Sequence, residues 1–435
     1  MRKNRVDVIT MGCSKNLIDS ERLMRQFAES GYTVRHNPDK VEGEIVVVNT
    51  CGFIESAKKE SIDMILEVVS GKSSGQVGQV YVMGCLSERY REELREAIPE
   101  LDGIYGKFDW KDLITHLGKA YHSTVADSRL TTTPDHYAFL KIAEGCSRQC
   151  AYCAIPIITG RHVSRPEEEI LEEVRGLAAS GVKELLVIAQ DLTYYGRDLY
   201  GEPRLPELIE KICRVDGIEW VRLHYGYPAQ FPMDLLRVMR EQPKVCKYLD
   251  IALQHASDHM LRVMRRGVTR QETEELLRRM REEVPGIAIR TTLMVGHPEE
   301  TDEDFEELMD FVREQRFERM GAFMYSHEEG TYDYRHYSDN VPQEVKEERY
   351  DRLMTLQQEI ALQTAESMVG KTLRVLVDRE EEGHYIGRTE YDSPDVDPEV
   401  ILTGEASVGE FCQVRITGTA DYDLIGEVLS SESRP

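Results

Sequence analysis

The chain has 435 residues, of which 41% are hydrophobic and 31% are charged, so it is long enough to bury the cores of two or three domains. Its 54 basic and 79 acidic residues give a formal net charge of -25. A surface of this charge repels a phosphate backbone, which disfavours binding to free RNA and favours a basic partner. The alternative is an acidic enzyme surface without any such partner, since many enzymes have one.

The apolar runs and the cysteines indicate the compartment. The longest apolar runs, ELLVIA and EIVVV, are far shorter than the ~20 residues that cross a bilayer, and the first residues include no apolar signal segment. We therefore expect a cytoplasmic protein without a membrane segment. Its nine cysteines are sparse and unevenly spaced, which favours metal binding or catalysis over disulfides.

Residues 1–130 predict an open parallel sheet of βα units. Three short apolar runs, VDVITMGC, EIVVVNTC and QVYVMGC, are each followed by a stretch with helical periodicity. One cysteine ends each predicted strand: Cys13, Cys51 and Cys85. Because ligands of open α/β sheets lie at the carboxyl ends of the strands, we expect these cysteines to converge. The alternative is three buried cysteines that act as small hydrophobic residues.

Residues 135–335 predict a second α/β domain. Six strand candidates alternate with helical stretches, which suggests an incomplete (β/α)6 barrel whose active site lies at the carboxyl face. The candidates are YAFLKIAEGC, ELLVIAQD, WVRLHYGYP, YLDIALQ, IAIRTTLMVG and RMGAFMYS. The helix in PEEEILEEVRGLAASG is expected to have Ser164 as its cap and Pro166 in its first turn.

The last part of the chain changes character twice. Residues 342–370 show helical spacing of apolar residues and predict a connector helix. Residues 371–435 are rich in β-branched residues and short turns, which predicts a small all-β barrel.

The most specific motif is EGCSRQCAYCAIP, in which Cys146, Cys150 and Cys153 have C-x3-C-x2-C spacing. Three thiolates on one short loop can bind three irons of a 4Fe-4S cluster and leave the fourth iron open for a small molecule. The aromatic ring of Tyr152 is placed to pack against that molecule. A zinc site is the alternative, with His162 as the nearest fourth ligand.

The motifs together resemble the methylthiotransferases of the radical S-adenosylmethionine (SAM) superfamily. The resemblance runs through GCSKNLIDSE, NTCGFIESAKKESID, MGCLSERY, EGCSRQCAYCAIP, LQHASDHMLRVMRRG and TTLMVGHPEETDEDF, in that order. It implies two 4Fe-4S clusters, one bound by Cys13, Cys51 and Cys85 and one by Cys146, Cys150 and Cys153. It also implies SAM as methyl donor and radical source, sulfide or polysulfide as sulfur source, an electron donor protein, and a TRAM-like terminal barrel.

The family has two well-known branches, which differ in substrate. The segment YIGRTEYDSPDVDPEVIL resembles the branch that modifies the β-carbon of an aspartate in the twelfth small-subunit ribosomal protein. Residues 371–435 hold 6 basic and 15 acidic residues, which favours a basic protein or the small ribosomal subunit as partner. The alternatives are the same chemistry on an adenosine of transfer RNA, and a non-catalytic iron-sulfur sensor or electron carrier.

Polar residues at the predicted strand ends are candidates for contacts to SAM. Arg290 is the preferred one, because a buried guanidinium can pair with a carboxylate. Tyr152 and Gln190 complete the proposed cofactor site. The other candidates are Asp191, His224, Gln254 and Thr292.

Overall fold

A computed structural model of the chain describes residues 1–123 and 128–431. The first domain has a five-stranded sheet of order β2-β1-β3-β4-β5, and every pair in it is parallel. Its strands are β1 (Arg2–Thr10), β2 (Thr33–His36), β3 (Gly43–Thr50), β4 (Gln79–Gly84) and β5 (Gly103–Ile104). Its helices are α1 (Ser14–Glu29), α2 (Glu55–Ser73), α3 (Cys85–Arg89), α4 (Arg91–Ala97) and α5 (Trp110–His116).

Both faces of this sheet are covered. In β3, Ile45 and Val47 pack into one hydrophobic cluster while Val46 and Val48 pack into another. A parallel strand buried on both faces reads as a continuous apolar run, which is why EIVVV marks it so clearly in the sequence. The predicted open βα domain is confirmed, and it also contains the short edge strands β2 and β5.

The second domain contains six parallel strands in the order β13-β12-β11-β10-β9-β6. They are β6 (Tyr137–Lys141), β9 (Glu184–Ile188), β10 (Trp220–Gly226), β11 (Val245–Gln254), β12 (Ala288–Val295) and β13 (Arg319–Met324), and a hairpin pairs β7 (Ala143–Glu144) with β8 (Val163–Ser164). All six predicted strands are therefore present. The sheet is an incomplete barrel, because β6 and β13 are its unpaired edges.

The helices of this domain follow its strands in βα order. They are α6 (Ile155–Thr159), α7 (Glu167–Ala179), α8 (Leu205–Cys213), α9 (Asp234–Glu241), α10 (Asp258–Val263), α11 (Arg270–Glu283), α12 (Asp302–Gln315) and α13 (Tyr332–His336). The predicted cap of α7 is wrong: Pro166 is the capping position and provides no side-chain hydrogen bond. The Ser164 hydroxyl instead donates to Asp198 at 2.6 Å, because Ser164 belongs to the β7-β8 hairpin.

The C-terminal part begins with the long helix α14 (Gln343–Glu366), which packs on β13. A closed barrel follows, made of β14 (Thr372–Glu381), β15 (His384–Thr389), β16 (Val400–Thr403), β17 (Phe411–Ala420) and β18 (Asp423–Ser431). This barrel packs against the amino ends of the six-stranded sheet, where the Trp220 and Phe411 rings lie 4.8 Å apart. None of the described helices is long and apolar enough to span a membrane.

Candidate active site

The first cysteine trio lies at the carboxyl edge of the N-terminal sheet. Cys51 directly follows β3 and Cys85 directly follows β4, while Cys13 lies three residues beyond β1 and caps α1. Because β1, β3 and β4 are neighbours in the sheet, the three segments meet at one edge. The structure therefore brings together the three cysteines that the sequence predicted to converge.

Glycines beside these cysteines permit the close approach. A β-carbon at Gly12 would lie 2.7 Å from the Cys51 β-carbon, and one at Gly52 would lie 2.6 Å from the Leu86 α-carbon. Gly84 has φ +106°, and a β-carbon there would lie 2.5 Å from the Thr50 carbonyl oxygen. Each of the three segments thus packs against another at a distance that only glycine allows.

Asn16 links the segments by hydrogen bonds, and sequence reasoning missed it although it lies in the quoted stretch GCSKNLIDSE. Its buried amide donates to the Met11 carbonyl at 3.1 Å and to the Thr50 carbonyl at 3.0 Å. Its amide oxygen lies 3.5 Å from the Cys85 Sγ and 3.3 Å from the Lys107 Nζ. Asn16 therefore fixes the turn that carries Cys13 against the ends of its neighbours.

Burial controls the ionisation of two cysteines of this trio, Cys51 and Cys85. It raises the pKa of Cys51, and it raises the pKa of Cys85 to about 12 even though the nearby Lys107 cation acts in the opposite direction. The free thiols of Cys51 and Cys85 therefore keep their protons at neutral pH, and binding of a metal cluster would displace these protons.

The second trio lies on the loop between β7 and α6, at the mouth of the incomplete barrel. Gly145, with φ +78°, lets the start of this loop pack against the backbone of Arg161. A β-carbon at Gly145 would lie 2.2 Å from the Arg161 carbonyl oxygen. The Cys146 amide donates to the Gly160 carbonyl at 3.1 Å. Burial raises the pKa of Cys146 to about 12, and it also raises the pKa of Cys153.

A buried guanidinium, that of Arg266, contacts the second trio. Its Nη1 lies 3.0 Å from the Cys150 Sγ and 3.1 Å from the Tyr152 hydroxyl. Its other terminal nitrogen donates to the Ala252 carbonyl, and the group lies 4.2 Å from the centre of the Tyr227 ring. Sequence reasoning missed Arg266, although it lies in the quoted stretch LQHASDHMLRVMRRG. A cation here offsets the charge of a coordinated thiolate.

The remaining predicted contacts at the barrel mouth are Tyr152, Gln190 and Gln254. The Tyr152 ring packs beside a buried cluster that includes Met260 and Met264. Gln190 is half-buried and donates to Glu144. Gln254 ends β11 with φ +74°, and its buried Oε1 has no hydrogen-bond partner. A strained backbone with an unpaired polar atom at a strand end is typical of a ligand site.

Arg290 requires a correction. It is the third residue of β12, and its guanidinium pairs at 2.6 Å with Asp397 of the C-terminal barrel. His224 also faces that barrel, with Nε2 3.3 Å from the Ser393 hydroxyl, while Thr292 is half-buried. Arg290 was preferred because a buried guanidinium needs a carboxylate, but the protein itself provides one. We therefore remove Arg290 from the SAM site.

The edge with the first trio covers the barrel mouth. The Lys15 Nζ lies 3.0 Å from the centre of the Tyr225 ring, at the carboxyl end of β10. Arg89 and Lys58 pair with the buried Glu328 at 2.8 and 3.2 Å. Helix α3, which begins at Cys85, packs against α6, which follows Cys153. The two trios thus lie on the two sides of one interface between the domains.

Family models match the three parts of the chain. The Radical SAM superfamily matches residues 140–312, Uncharacterized protein family UPF0004 matches residues 5–106, and the TRAM domain matches residues 369–429. The protein named ribosomal protein uS12 methylthiotransferase RimO in Parabacteroides distasonis is 61% identical, over 99% of this chain and 100% of the relative. The chain belongs to the RimO family of methylthiotransferases.

More distant RimO relatives agree. Those of Bacteroides thetaiotaomicron and Flavobacterium johnsoniae are 58% and 51% identical, and the matches cover 99% and 98% of this chain and the same shares of the relatives. Among solved structures, the radical SAM methyltransferase TsrM from Kitasatospora setae superposes with a TM-score of 0.54 at 15% identity, over 74% of this chain and 75% of that one. This likeness shows the fold alone.

The radical SAM family binds SAM and a 4Fe-4S cluster, and both trios fit such a cluster in their donor chemistry. Within residues 1–123 and 128–431, no three Cys, His, Asp or Glu side chains converge on a single ion. A 4Fe-4S cluster does not need such convergence, because each of its thiolate ligands binds a different iron. His162, the ligand considered for zinc, instead places its Nε2 3.2 Å from the Ser164 hydroxyl.

Proposed function

We propose that this enzyme transfers a methylthio group to the β-carbon of an aspartate in ribosomal protein uS12. The observation that supports it most strongly is that two cysteine trios lie on the two sides of one interface between the domains. Relatives that share up to 61% of their residues with this chain have that substrate in their name. A ribosomal substrate would also place the enzyme in the cytoplasm.

In this proposal, Cys13, Cys51 and Cys85 hold one 4Fe-4S cluster, and Cys146, Cys150 and Cys153 hold the other. When bound, the two clusters supply an electron for SAM cleavage and a site for the sulfur atom, which comes from sulfide or polysulfide. An electron donor protein is needed as well. Burial raises the pKa of the Cys51, Cys85, Cys146 and Cys153 thiols, so these four would lose their protons only when a cluster binds.

Other residues at this interface bind and orient the cysteine loop and SAM. The Arg266 guanidinium contacts the Cys150 sulfur and fixes the Tyr152 hydroxyl. The unpaired Oε1 of Gln254 can accept a hydrogen bond from the amino group of SAM. Lys15, packed on the Tyr225 ring, narrows the opening and so helps to exclude water from a radical reaction.

The charge of the C-terminal barrel supports a protein substrate, but less simply than the sequence predicted. Asp378, Asp392 and Asp397 are used internally, in ion pairs with Arg388, Arg319 and Arg290. Exposed acidic groups remain on the barrel and can attract a basic protein. They are Glu380, Glu381, Glu382, Asp395, Glu405, Asp421 and Glu427. Transfer RNA as substrate and a role as a non-catalytic sensor are not favoured.

The test is a transfer assay with the reconstituted holoenzyme. The enzyme is incubated without oxygen with dithionite, sulfide, SAM and either purified uS12 or transfer RNA, and mass changes are measured in both. We expect uS12 to gain one CH2S unit, located on an aspartate by fragmentation. The Cys51→Ala variant should not form this product. The Cys213→Ala variant should still form it, because Cys213 is buried at the end of α8 in the hydrophobic core. A gain on transfer RNA alone would refute the proposed substrate.

A further inference from the structure

A row of buried polar side chains runs from the first cysteine trio to the barrel mouth. Lys107 lies 2.6 Å from one oxygen of Asp19, and Lys141 lies 2.5 Å from the other. Lys141 also pairs with Glu144 at 2.7 Å, two residues before Cys146. At the other end, Asn16 contacts both Lys107 and Cys85. None of these charged groups has a role in the chemistry proposed above.

Asp19 is the point where the two domains join in this row. It lies on α1, and Lys107 follows β5, so both belong to the N-terminal domain. Lys141 is the last residue of β6 and Glu144 lies in β7, so both belong to the barrel domain. One carboxylate thus binds an ammonium group from each domain.

The positive and negative charges of the row are equal in number, and each buried charged group needs an oppositely charged partner. Two lysines face two acidic groups, and the side chains of Asp19, Lys107 and Lys141 are 5% exposed or less. Burial by itself raises the pKa of Asp19, but the two ammonium groups outweigh it and lower that pKa to about 2. The carboxylate is therefore charged at neutral pH. Desolvation offsets much of the attraction in a buried ionic contact, but each charged group in it needs its partner.

Lys141 lies at one edge of the incomplete barrel, so its contact with Asp19 bears on how the two domains are oriented. The barrel is incomplete, with β6 and β13 as its two edges. The N-terminal domain contacts one edge through Asp19 and Lys141, and it contacts the segment after the other edge through Arg89 and Glu328. The two contacts lie on opposite edges of the barrel opening, so together they define how the first trio faces the second.

We propose that Asp19 is a positioning residue that, by binding Lys107 and Lys141 together, sets the spacing of the two cluster sites and so couples SAM cleavage to sulfur transfer. The coupling part rests on the proposed function. SAM cleavage needs only the barrel trio, whereas methylthio transfer needs both trios at a fixed separation. Weakening the Asp19 contact should therefore separate the two activities.

The experiment compares holoenzyme variants for two products, 5′-deoxyadenosine and methylthiolated uS12. For Asp19→Asn and for Lys141→Gln, which leaves the pair of Asp19 and Lys107 intact, we expect wild-type iron content and 5′-deoxyadenosine formation. The ratio of methylthio product to 5′-deoxyadenosine should decrease by a factor of about 10 to about 100. The larger factor is the loss that a misplacement of about 1 Å can cause. Lys141→Arg, which keeps the charge, should restore most of the ratio.

Lys183→Gln is the matched control. Lys183 is also buried and also joins two domains, but its Nζ contacts Gly409 and Glu410 of the C-terminal barrel, so the ratio should not change. Pulsed EPR on the reduced clusters gives an independent readout, and Asp19→Asn should broaden the distribution of distances between them. An unchanged ratio and distribution in both variants, or a parallel fall in both products and in iron content, would overturn the proposal. If wild-type enzyme modifies no uS12, the proposed function fails, and the distance distribution alone decides the role of Asp19.

Discussion

The two cysteine trios provide the same three sulfur donors, but the fold assembles them in different ways. The barrel trio comes from a single loop, residues 146–153, so its spacing is written in the local sequence. The N-terminal trio comes from three segments between residues 13 and 85, and it exists only when β1, β3 and β4 lie side by side. In the proposed assignment, one short loop therefore provides all three ligands of its cluster, whereas the strand-end trio depends on the packing of a whole domain.

The largest effect should come from the loop trio. Cys150→Ala removes one of the three proposed cluster ligands and the partner of the Arg266 guanidinium. Because SAM cleavage initiates the reaction, we expect loss of both 5′-deoxyadenosine and methylthio product, with one cluster lost by iron analysis. Cys51→Ala should lose only the methylthio product. Loss of SAM cleavage in Cys51→Ala to the same extent would contradict a division of roles between the trios.

A substitution beside the strand-end trio should damage that trio through packing alone. In Gly84→Ala the new β-carbon would lie 2.4 Å from the Asn49 Oδ1, and the residue would also need φ +106°. The strained backbone alone costs about 1–3 kcal/mol. We expect the first cluster to be lost and the second retained, as measured by iron content and EPR.

Gly75→Ala separates strain from contact in that measurement. Gly75 has φ +75° in the same domain, but its β-carbon would have no atom within 4 Å. This variant should lose stability while keeping both clusters. Loss of the first cluster in Gly75→Ala would mean that any destabilisation of the domain is sufficient, and that the contact at Gly84 has no special part.

The charge beside the loop trio should affect its redox properties. Removing the cation in Arg266→Met takes a charge-assisted hydrogen bond from the Cys150 sulfur, worth about 1.5–3 kcal/mol. The reduction potential of the barrel cluster should therefore fall, by at most roughly 60–130 mV for one electron, the limit in which the whole bond strength belongs to the reduced state. Redox titration followed by EPR measures this shift. Arg266→Lys keeps the charge and should retain most of the potential, and equal potentials in Arg266→Met and wild type would exclude the interaction.

The sequence predicted what periodicity and short spacing can encode. The six barrel strands, the three strands that precede Cys13, Cys51 and Cys85, and the terminal barrel are all in the structure. The prediction failed where a side chain is defined by a distant partner. Lys107 meets Asp19 across 88 positions of the chain, and Arg266 meets Cys150 across 116, so no local pattern marks them.

Arg290 shows the same limit and leads to the smallest expected effect. The position of Arg290 in the predicted strand suggested a carboxylate of SAM as its partner, but the partner is Asp397, which lies 107 positions away. Asp397 also accepts a hydrogen bond from the Tyr248 hydroxyl at 2.8 Å. Arg290→Ala therefore leaves Asp397 with a donor and should cost about 2 kcal/mol, the value of one charge-assisted hydrogen bond. We expect a lower thermal midpoint and an unchanged dissociation constant for SAM. Asp397→Asn should lower the midpoint in the same way, whereas weaker SAM binding in Arg290→Ala alone would restore Arg290 to the cofactor site.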